Sequence, residues 1–220
     1  MKAVIFDFNG TLFDDTHFHV ISWRRYMRKR FGIDLTEAQV RGEFIGPNNS
    51  QIFHNRFGDR FSQEEIHAYS LEKEEEYRAA VLEDSAHPRL IEGAPALFDL
   101  LTERNIPFAL ATASELPNVN FYLNELGLKR WFTLDRIVYD EGKLASKPDP
   151  AFYLEAMRRL NVAPADCIVC EDSAAGIEAA RRAGVGRIIA IDRTTPMEKL
   201  KATSCIHVII HDYTDFARFL

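Results

Sequence analysis

The chain opens with a short apolar run that ends at a carboxylate. Ala3, Val4, Ile5 and Phe6 are all apolar, and Asp7 follows them directly. A strand with one solvent-exposed face would alternate polar and apolar residues, whereas an unbroken apolar run is typical of a parallel sheet covered by helices on both faces. We therefore predict a buried strand that delivers Asp7 to the C-terminal edge of a sheet, where open α/β sheets place their ligand crevice.

Strand and helix patterns alternate through the second half of the chain. Apolar strands are predicted over 107–112, 136–140, 167–170, 187–191 and 207–210. Helices are predicted around them over 94–104, 116–126, 150–160 and 173–184. Asp149 and Pro150 are expected at the cap and first turn of the third helix, and Ser173 at the cap of the fourth. The alternation predicts an α/β fold with a doubly wound, mainly parallel, Rossmann-like sheet.

Residues 15–84 carry helix signals and none of the strand signals that flank them. Apolar residues recur at helical spacing over 20–31, and Gly32 is placed to end that helix. Capping-box patterns that begin at Thr36 and at Ser62 open two further helices. This segment is therefore predicted to be entirely α-helical.

These patterns predict two domains. An α/β core is expected from residues 1–14 and 85–220, with a helical cap domain over 15–84 inserted between the first strand and the rest of the core. Because closure of a cap over a ligand requires two chain crossings, hinges are expected near 13–15 and 84–88.

Composition and charge narrow the class of protein. Hydrophobic residues make up 46% of the 220, enough to bury a substantial core. A net charge of −6 offers no long basic surface for nucleic acid. No apolar run approaches the ~20 residues of a membrane span, and no signal-peptide pattern precedes the first strand. We expect a cytoplasmic protein, a monomer or weak dimer, without nucleic-acid or membrane partners.

Two cysteines form a CxxC pattern inside a predicted strand. Residues three apart in a strand point to opposite faces, so Cys167 and Cys170 are poorly placed to act as a redox pair. We expect buried thiols that pack in the core of a protein from a reducing compartment.

Side chains suited to phosphoryl chemistry lie at predicted strand ends and in adjoining loops. They are Asp7, Thr112, Ser114, Lys147, Glu171 and Asp172. Because the C-terminal ends of parallel strands share one edge, residues far apart in sequence can converge there. Carboxylates are ligands that Mg²⁺ prefers, and a bound cation lets a phosphate dianion approach a carboxylate nucleophile. Lysine and hydroxyl groups can hold phosphate oxygens while a covalent aspartyl-phosphate forms.

These residues resemble the four motifs of the haloacid dehalogenase superfamily, in the expected order. The run Asp7-Phe8-Asn9-Gly10-Thr11-Leu12 resembles the first motif, Thr112 the hydroxyl of the second, Lys147 the lysine of the third, and Glu171-Asp172 the acidic fourth. The resemblance implies a Mg²⁺-dependent phosphatase with Asp7 as nucleophile. The helical insert resembles the cap of the β-phosphoglucomutase-like and phosphoglycolate phosphatase-like branch.

The resemblance also implies a metal-binding set. It consists of Asp7, Asn9 through its backbone carbonyl, Glu171 and Asp172, with Thr112, Ser114 and Lys147 binding phosphate. The resemblance leaves open whether Glu171 reaches the metal directly, reaches it through water, or mainly orients Lys147.

Asn9 departs from the family pattern at a catalytic position. The family has an aspartate there, which protonates the leaving group and then activates water, whereas a carboxamide has no titratable proton near neutral pH. Three explanations stay open. The substrate has a good leaving group, another acid or base such as His19 takes the role, or the protein turns over little.

The cap is expected to select the substrate. His19 and Lys73 resemble the substrate-facing histidine and lysine of phosphoglucomutase-like relatives, while the arginine that holds a second phosphate there is replaced by Asn48 or Asn49. We predict a phosphatase acting on a small phosphorylated metabolite such as a sugar phosphate, with Asn49 among the substrate-facing residues. The alternatives are a phosphomutase and a weakly active or non-catalytic binder of a phosphorylated ligand.

Overall fold

A computed structural model of the chain describes residues 3–84 and 90–220. The chain divides into two compact units, Met1–Asp14 with Arg89–Leu220, and Asp15–Pro88. Of the hinge predicted near 84–88, only Asp84 lies within the described residues.

Within the described residues, the first unit holds a six-stranded sheet in which all neighbouring strands are parallel. Its strands are β1 (Ala3–Phe6), β2 (Phe108–Glu115), β3 (Ile137–Asp140), β4 (Cys167–Glu171), β5 (Arg187–Ile191) and β6 (Val208–Ile210). The spatial order is β3-β2-β1-β4-β5-β6, the order of a doubly wound Rossmann-type sheet. The predicted fold class is confirmed.

The first strand is covered on both faces, which is why its sequence is apolar throughout. Every residue of β1 is fully buried. Ile5 belongs to an apolar cluster with Tyr153 and Ile177. Phe6 makes edge contacts with the rings of Phe98 and Tyr213, at centroid distances of 5.5 and 5.9 Å. Strand β1 therefore sits at the centre of the sheet, and the residue that follows it emerges at the middle of the sheet edge.

The second unit is built from helices. They are α1 (Thr16–Phe31), α2 (Glu37–Glu43), α3 (Asn49–Phe57) and α4 (Gln63–Leu82). Their apolar faces meet in a largely aromatic core that includes Trp23, Tyr26, Phe53 and Tyr69. The helical content predicted for this segment is confirmed, and its role as a cap stays a prediction.

The signals that begin and end these helices act as predicted. Capping boxes are present at Thr36 and Ser62, and Gly32 adopts a left-handed conformation after α1. A third capping box, between Asn48 and Gln51, begins α3. The side chain of Asn48 is therefore engaged in capping α3.

Five helices accompany the sheet of the first unit among the described residues. They are α5 (Ala94–Glu103), α6 (Leu116–Glu125), α7 (Ala151–Leu160), α8 (Ala174–Arg182) and α9 (Met197–Ala202). Helix α9 was not predicted, and α7 begins at Ala151, one residue later than predicted. The Asp149 carboxylate accepts a hydrogen bond from the backbone N–H of Ala151 at 2.9 Å. Ser173 caps α8 as predicted. Among the described residues, no helix combines the length and apolar character needed to cross a membrane.

The cysteines of β4 are free thiols. Cys167 and Cys170 are both buried. Burial, with a smaller contribution from Asp166, raises the pKa of Cys167 to about 11, and burial beside Glu171 raises the pKa of Cys170 well above its usual value. Thiols held protonated in this way are poor nucleophiles, so they pack as core residues.

Candidate active site

Three carboxylates meet at the C-terminal edge of the sheet, where β1 and β4 are neighbours. Asp7 follows β1, Glu171 ends β4, and Asp172 follows it. Phe6 lies opposite Cys170 in the register, and the backbone N–H of Asp7 donates to the carbonyl of Cys170 at 3.1 Å. The chain order reverses between β1 and β4, and such a switch point is where doubly wound sheets bind ligands.

Lys147 supplies the positive charge of this cluster. Its Nζ donates to Asp7 Oδ1 at 2.7 Å and to Glu171 Oε1 at 2.6 Å, with only 9% of the side chain exposed. The ammonium lies over the ring of Tyr153, 4.9 Å from its centroid. Burial disfavours the charged form, but the two carboxylates outweigh it and raise the pKa of Lys147 above its usual range. The lysine is therefore a fixed positive charge.

Glu171 is saturated with hydrogen-bond donors. Oε1 accepts from Lys147 and from the Tyr153 hydroxyl at 2.9 Å, and Oε2 accepts from the backbone N–H groups of Asp172 and Ser173 and from the Ser173 hydroxyl at 2.9 to 3.0 Å. These five donors, all from described residues, outnumber the roughly four lone-pair directions of a carboxylate. Burial opposes ionisation, but Lys147 outweighs it and lowers the pKa of Glu171. Its contacts are those of a residue that orients Lys147.

Asp172 has a different environment from its neighbour. Its carboxylate accepts a hydrogen bond from the Thr11 hydroxyl at 2.8 Å and another from Thr194. Burial together with the charges of Glu171 and Asp7 outweighs these bonds and raises the pKa of Asp172 well above the usual value. Burial also raises the pKa of Asp7, although Lys147 opposes the shift. Both acids lie where added positive charge would be stabilising.

The cluster fits a divalent cation. When ionised, three carboxylates and one ammonium carry a net charge of −2, and ligand oxygens of Asp7, Glu171 and Asp172 all lie within 4.8 Å of one another. Buried oxygen ligands with excess negative charge are the donor set that Mg²⁺ takes in proteins. Because Glu171 is committed to Lys147 and backbone donors, Asp7 and Asp172 are the carboxylates better placed to bind the ion.

Two glycines make room for these acids. Gly10 has a φ of +73°, and a Cβ built there would overlap the carboxylate of Asp172. A Cβ at Gly176, in the first turn of α8, would overlap the carboxylate of Glu171. The chain approaches each acid too closely for any side chain at these positions.

Asn9 is held at both ends of its carboxamide. Oδ1 accepts from the Ser114 hydroxyl at 3.0 Å, and Nδ2 donates to the Tyr122 hydroxyl at 3.1 Å. The Ser114 backbone N–H donates to the Thr112 hydroxyl at 3.1 Å. Both hydroxyls predicted to bind phosphate thus have intramolecular partners, and Thr112 and Ser114 as phosphate ligands stay a prediction.

The second unit brings together its predicted substrate-facing residues around an acid that the sequence analysis missed. Lys73 Nζ lies 2.8 Å from His19 Nδ1 and donates to Glu74 Oε1 at 2.9 Å. Asn49 Nδ2 donates to the same oxygen at 2.8 Å, and the Lys73 ammonium lies 5.0 Å from the centroid of the Trp23 ring. Their contact with substrate stays a prediction.

Three further residues of the site were also missed. Tyr153 contacts Glu171, Tyr122 contacts Asn9, and Thr11 contacts Asp172. The two tyrosines lie on buried helix faces, where their sequence pattern resembles that of core residues. Only Thr11 had a local signal, since it lies within the first motif.

Glu74 is expected to stabilise the second unit above acidic pH. Burial opposes its ionisation, but Lys73, His19 and Asn49 lower its pKa from 4.5 to about 2. Its stabilising contribution should therefore be complete above pH 4.5 and be lost as the pH falls toward 2. Glu74→Gln should lower the free energy of unfolding by roughly 1.5–3 kcal/mol near neutral pH, measured by urea denaturation.

The exposed neighbour Glu75 provides the matched control. Glu75→Gln should change stability by less than about 0.5 kcal/mol. The difference in unfolding free energy between the Glu74→Gln and Glu75→Gln variants should narrow as the pH falls toward 2. Equal stability of the two variants near neutral pH would contradict the assigned role of Glu74.

Residues 1–184 match the model of the haloacid dehalogenase-like hydrolases. The chain belongs to this family. This hydrolase is 31% identical over 217 residues to the 6-phosphogluconate phosphatase of Escherichia coli (strain K12), an alignment that covers 94% of this chain and 91% of the relative. The resemblance found in the sequence motifs, and the prediction of a haloacid dehalogenase-like hydrolase, are confirmed.

Solved structures agree with this assignment. The chain superposes on a family IA, variant 3 hydrolase of Entamoeba histolytica HM-1:IMSS with a TM-score of 0.90 and 33% identity, covering 98% of this chain and 95% of that one. It also superposes on β-phosphoglucomutase from Clostridium difficile, with a TM-score of 0.80, 26% identity, and coverage of 100% and 95%. The hydrolase therefore lies in the β-phosphoglucomutase-like branch.

Proposed function

We propose that this hydrolase is a Mg²⁺-dependent phosphatase that acts through an aspartyl-phosphate on a small phosphorylated metabolite such as a sugar phosphate. The observation that carries the proposal is the buried group of Asp7, Glu171 and Asp172 with Lys147 hydrogen-bonded between two of them. The 6-phosphogluconate phosphatase among the relatives supports a phosphorylated sugar as substrate.

Each charged residue has a distinct role in this proposal. Lys147 donates to Oδ1 of Asp7, so it orients the carboxylate and attracts the phosphoryl oxygens of the substrate. Glu171 orients Lys147. Asp7, Asp172 and the backbone carbonyl of Asn9 would hold Mg²⁺, which when bound offsets the repulsion between the carboxylate nucleophile and the phosphate dianion.

The reaction proceeds in two displacements at phosphorus. A carboxylate oxygen of Asp7 forms a bond to phosphorus as the bond to the leaving oxygen breaks. Water then attacks phosphorus as the bond to Asp7 breaks, a proton of that water passes to solvent, and inorganic phosphate and the free Asp7 carboxylate are released. Because Asn9 has no titratable proton, the leaving oxygen departs as an anion or takes its proton from solvent.

Asn9, at the position where the family has an aspartate, favours a second candidate function. This candidate is a binder of phosphorylated ligands with little or no turnover. A phosphomutase remains a further alternative, with Asn48 or Asn49 in place of a second-phosphate arginine as an argument against it. Under the primary proposal we expect phosphate release from a panel of phosphorylated metabolites with Mg²⁺ and none after chelation.

Asp172→Asn should weaken Mg²⁺ binding by at least about tenfold, measured by calorimetry.

Asp215→Asn, at an exposed position of the same unit, is the matched control and should bind Mg²⁺ as the native chain does. Tight Mg²⁺-dependent binding of a phosphorylated ligand without release would favour the binder. Isomerisation of a sugar phosphate without net release would favour the mutase.

A further inference from the structure

Asn9, Ser114 and Tyr122 form a closed ring of hydrogen bonds. The Ser114 hydroxyl donates to Asn9 Oδ1, and Asn9 Nδ2 donates to the Tyr122 hydroxyl. The two hydroxyl oxygens lie 3.0 Å apart. Because serine has a single hydroxyl proton, already directed at Asn9, the tyrosine must donate to the serine. Within the ring each group donates one bond and accepts one, so the three bonds run in one direction.

The protein core holds this ring in place. The Tyr122 ring is almost fully buried and stacks on Phe8 at a centroid distance of 4.0 Å. Ser114 is fixed through its backbone N–H, which donates to Thr112. Phe8 immediately precedes Asn9, so the same contacts position both the backbone and the side chain at position 9.

The ring suits a carboxamide, because Asn9 keeps its N–H donor at every pH. An ionised carboxylate at position 9 would have no donor for the Tyr122 hydroxyl, and only a protonated carboxyl could replace the amide. Asn9 is therefore part of a built arrangement at the position where the family has its proton donor. The proton of each hydroxyl is engaged within the ring, so the ring supplies no acid to a leaving group.

We propose that this ring restricts the hydrolase to phosphate esters whose leaving oxygen departs as a stable anion. That class comprises acyl, enol and aryl phosphates, and sugars phosphorylated on the anomeric oxygen, which is a weaker base than a primary alkoxide. Esters of ordinary hydroxyls need a proton at the leaving oxygen as the bond to phosphorus breaks. The inference rests on the proposed function and narrows its substrate class, with Tyr122 as a positioning residue for Asn9.

The test compares nitrophenyl phosphate with benzyl phosphate, two esters of similar size whose leaving oxygens differ greatly in basicity. With Mg²⁺, the native protein should release phosphate from nitrophenyl phosphate at least about 10²-fold faster, because no general acid assists the benzyl ester. Asn9→Asp should raise the benzyl rate by about 10²- to 10⁴-fold and the nitrophenyl rate by much less.

Tyr122→Phe keeps the aromatic stack and removes one donor from the ring. It should lower kcat on nitrophenyl phosphate by about three- to tenfold with KM unchanged. Tyr139→Phe is the matched control, since the Tyr139 hydroxyl donates to Glu141 outside the ring. An unchanged kcat in Tyr122→Phe would overturn the role of the ring.

The native comparison decides the inference even if a variant fails to fold. Similar native rates on the two esters would overturn the leaving-group restriction while leaving the proposed phosphatase intact. No release from either ester, by the native chain or by Asn9→Asp, would overturn the proposed function and this inference together.

Discussion

Asp7→Asn is expected to abolish phosphate release, a loss on the order of 10⁴- to 10⁶-fold in kcat. An amide cannot form the acyl-phosphate, since its oxygen is a weak nucleophile and carries no charge. The measurement is Mg²⁺-dependent release of inorganic phosphate from the best substrate of the panel. The residual rate reports how much of the acceleration survives without covalent catalysis.

Asp14→Asn is the matched control for this substitution. It makes the same chemical change seven residues along the chain, at an exposed position of the same unit, and should retain native release. Thermal melting of both variants would show whether they are folded. If folded Asp7→Asn released phosphate at the native rate, Asp7 would not be the nucleophile.

Among the substitutions predicted here to affect stability, Lys147→Met should cause the largest loss of unfolding free energy. The lysine is hydrogen-bonded to Asp7 and Glu171, and its removal leaves buried carboxylates without their cation. Breaking a buried ion pair in this way costs roughly 3–5 kcal/mol of unfolding free energy. Chemical denaturation without divalent cations measures it, and Mg²⁺ at about 100 times its Kd should add back about 2.7 kcal/mol if it binds only the folded state.

Lys143→Met tests the same change in the same loop. Lys143 is largely exposed and pairs with Glu141 at 3.4 Å, so its loss should cost less than about 1 kcal/mol. Lys147→Met should also lower phosphate release by about 10²- to 10³-fold through the lost electrostatic stabilisation. If both lysine variants had native stability, the proposed charge balance of the site would be wrong.

The roles proposed for Glu171 and Asp172 rest on the hydrogen bonds that each acid accepts. The sequence places two acids side by side and leaves their roles open. In the structure, Glu171 accepts bonds from Lys147, Tyr153 and the turn into α8, whereas Asp172 accepts from the threonines Thr11 and Thr194. Only the positions of these partners distinguish the two acids.

Local patterns in the sequence were sufficient to predict the fold class and most of the elements. The apolar run before Asp7 predicted a strand buried on both faces, because solvent exposure of either face would require polar residues. The capping boxes at Thr36 and Ser62 predicted two helix starts, since each is made by residues only three apart. These signals depend on near neighbours in the chain and can be read without knowing the tertiary structure.

The sequence predicted that the strand-end side chains share one edge of the sheet, and the tertiary structure decided which of them are in contact. Pairing of β1 with β4 places Asp7 beside Glu171 and Asp172, and strand order is set by packing between distant segments. Asn9 reaches Tyr122 across 113 positions. Lys73 and Glu74 are adjacent on one helix, where neighbouring side chains do not normally face each other. Their charged ends nevertheless meet, with His19 in contact with Lys73 and Asn49 in contact with Glu74. Sequence periodicity carries no information about such encounters, since they depend on the three-dimensional path of the chain.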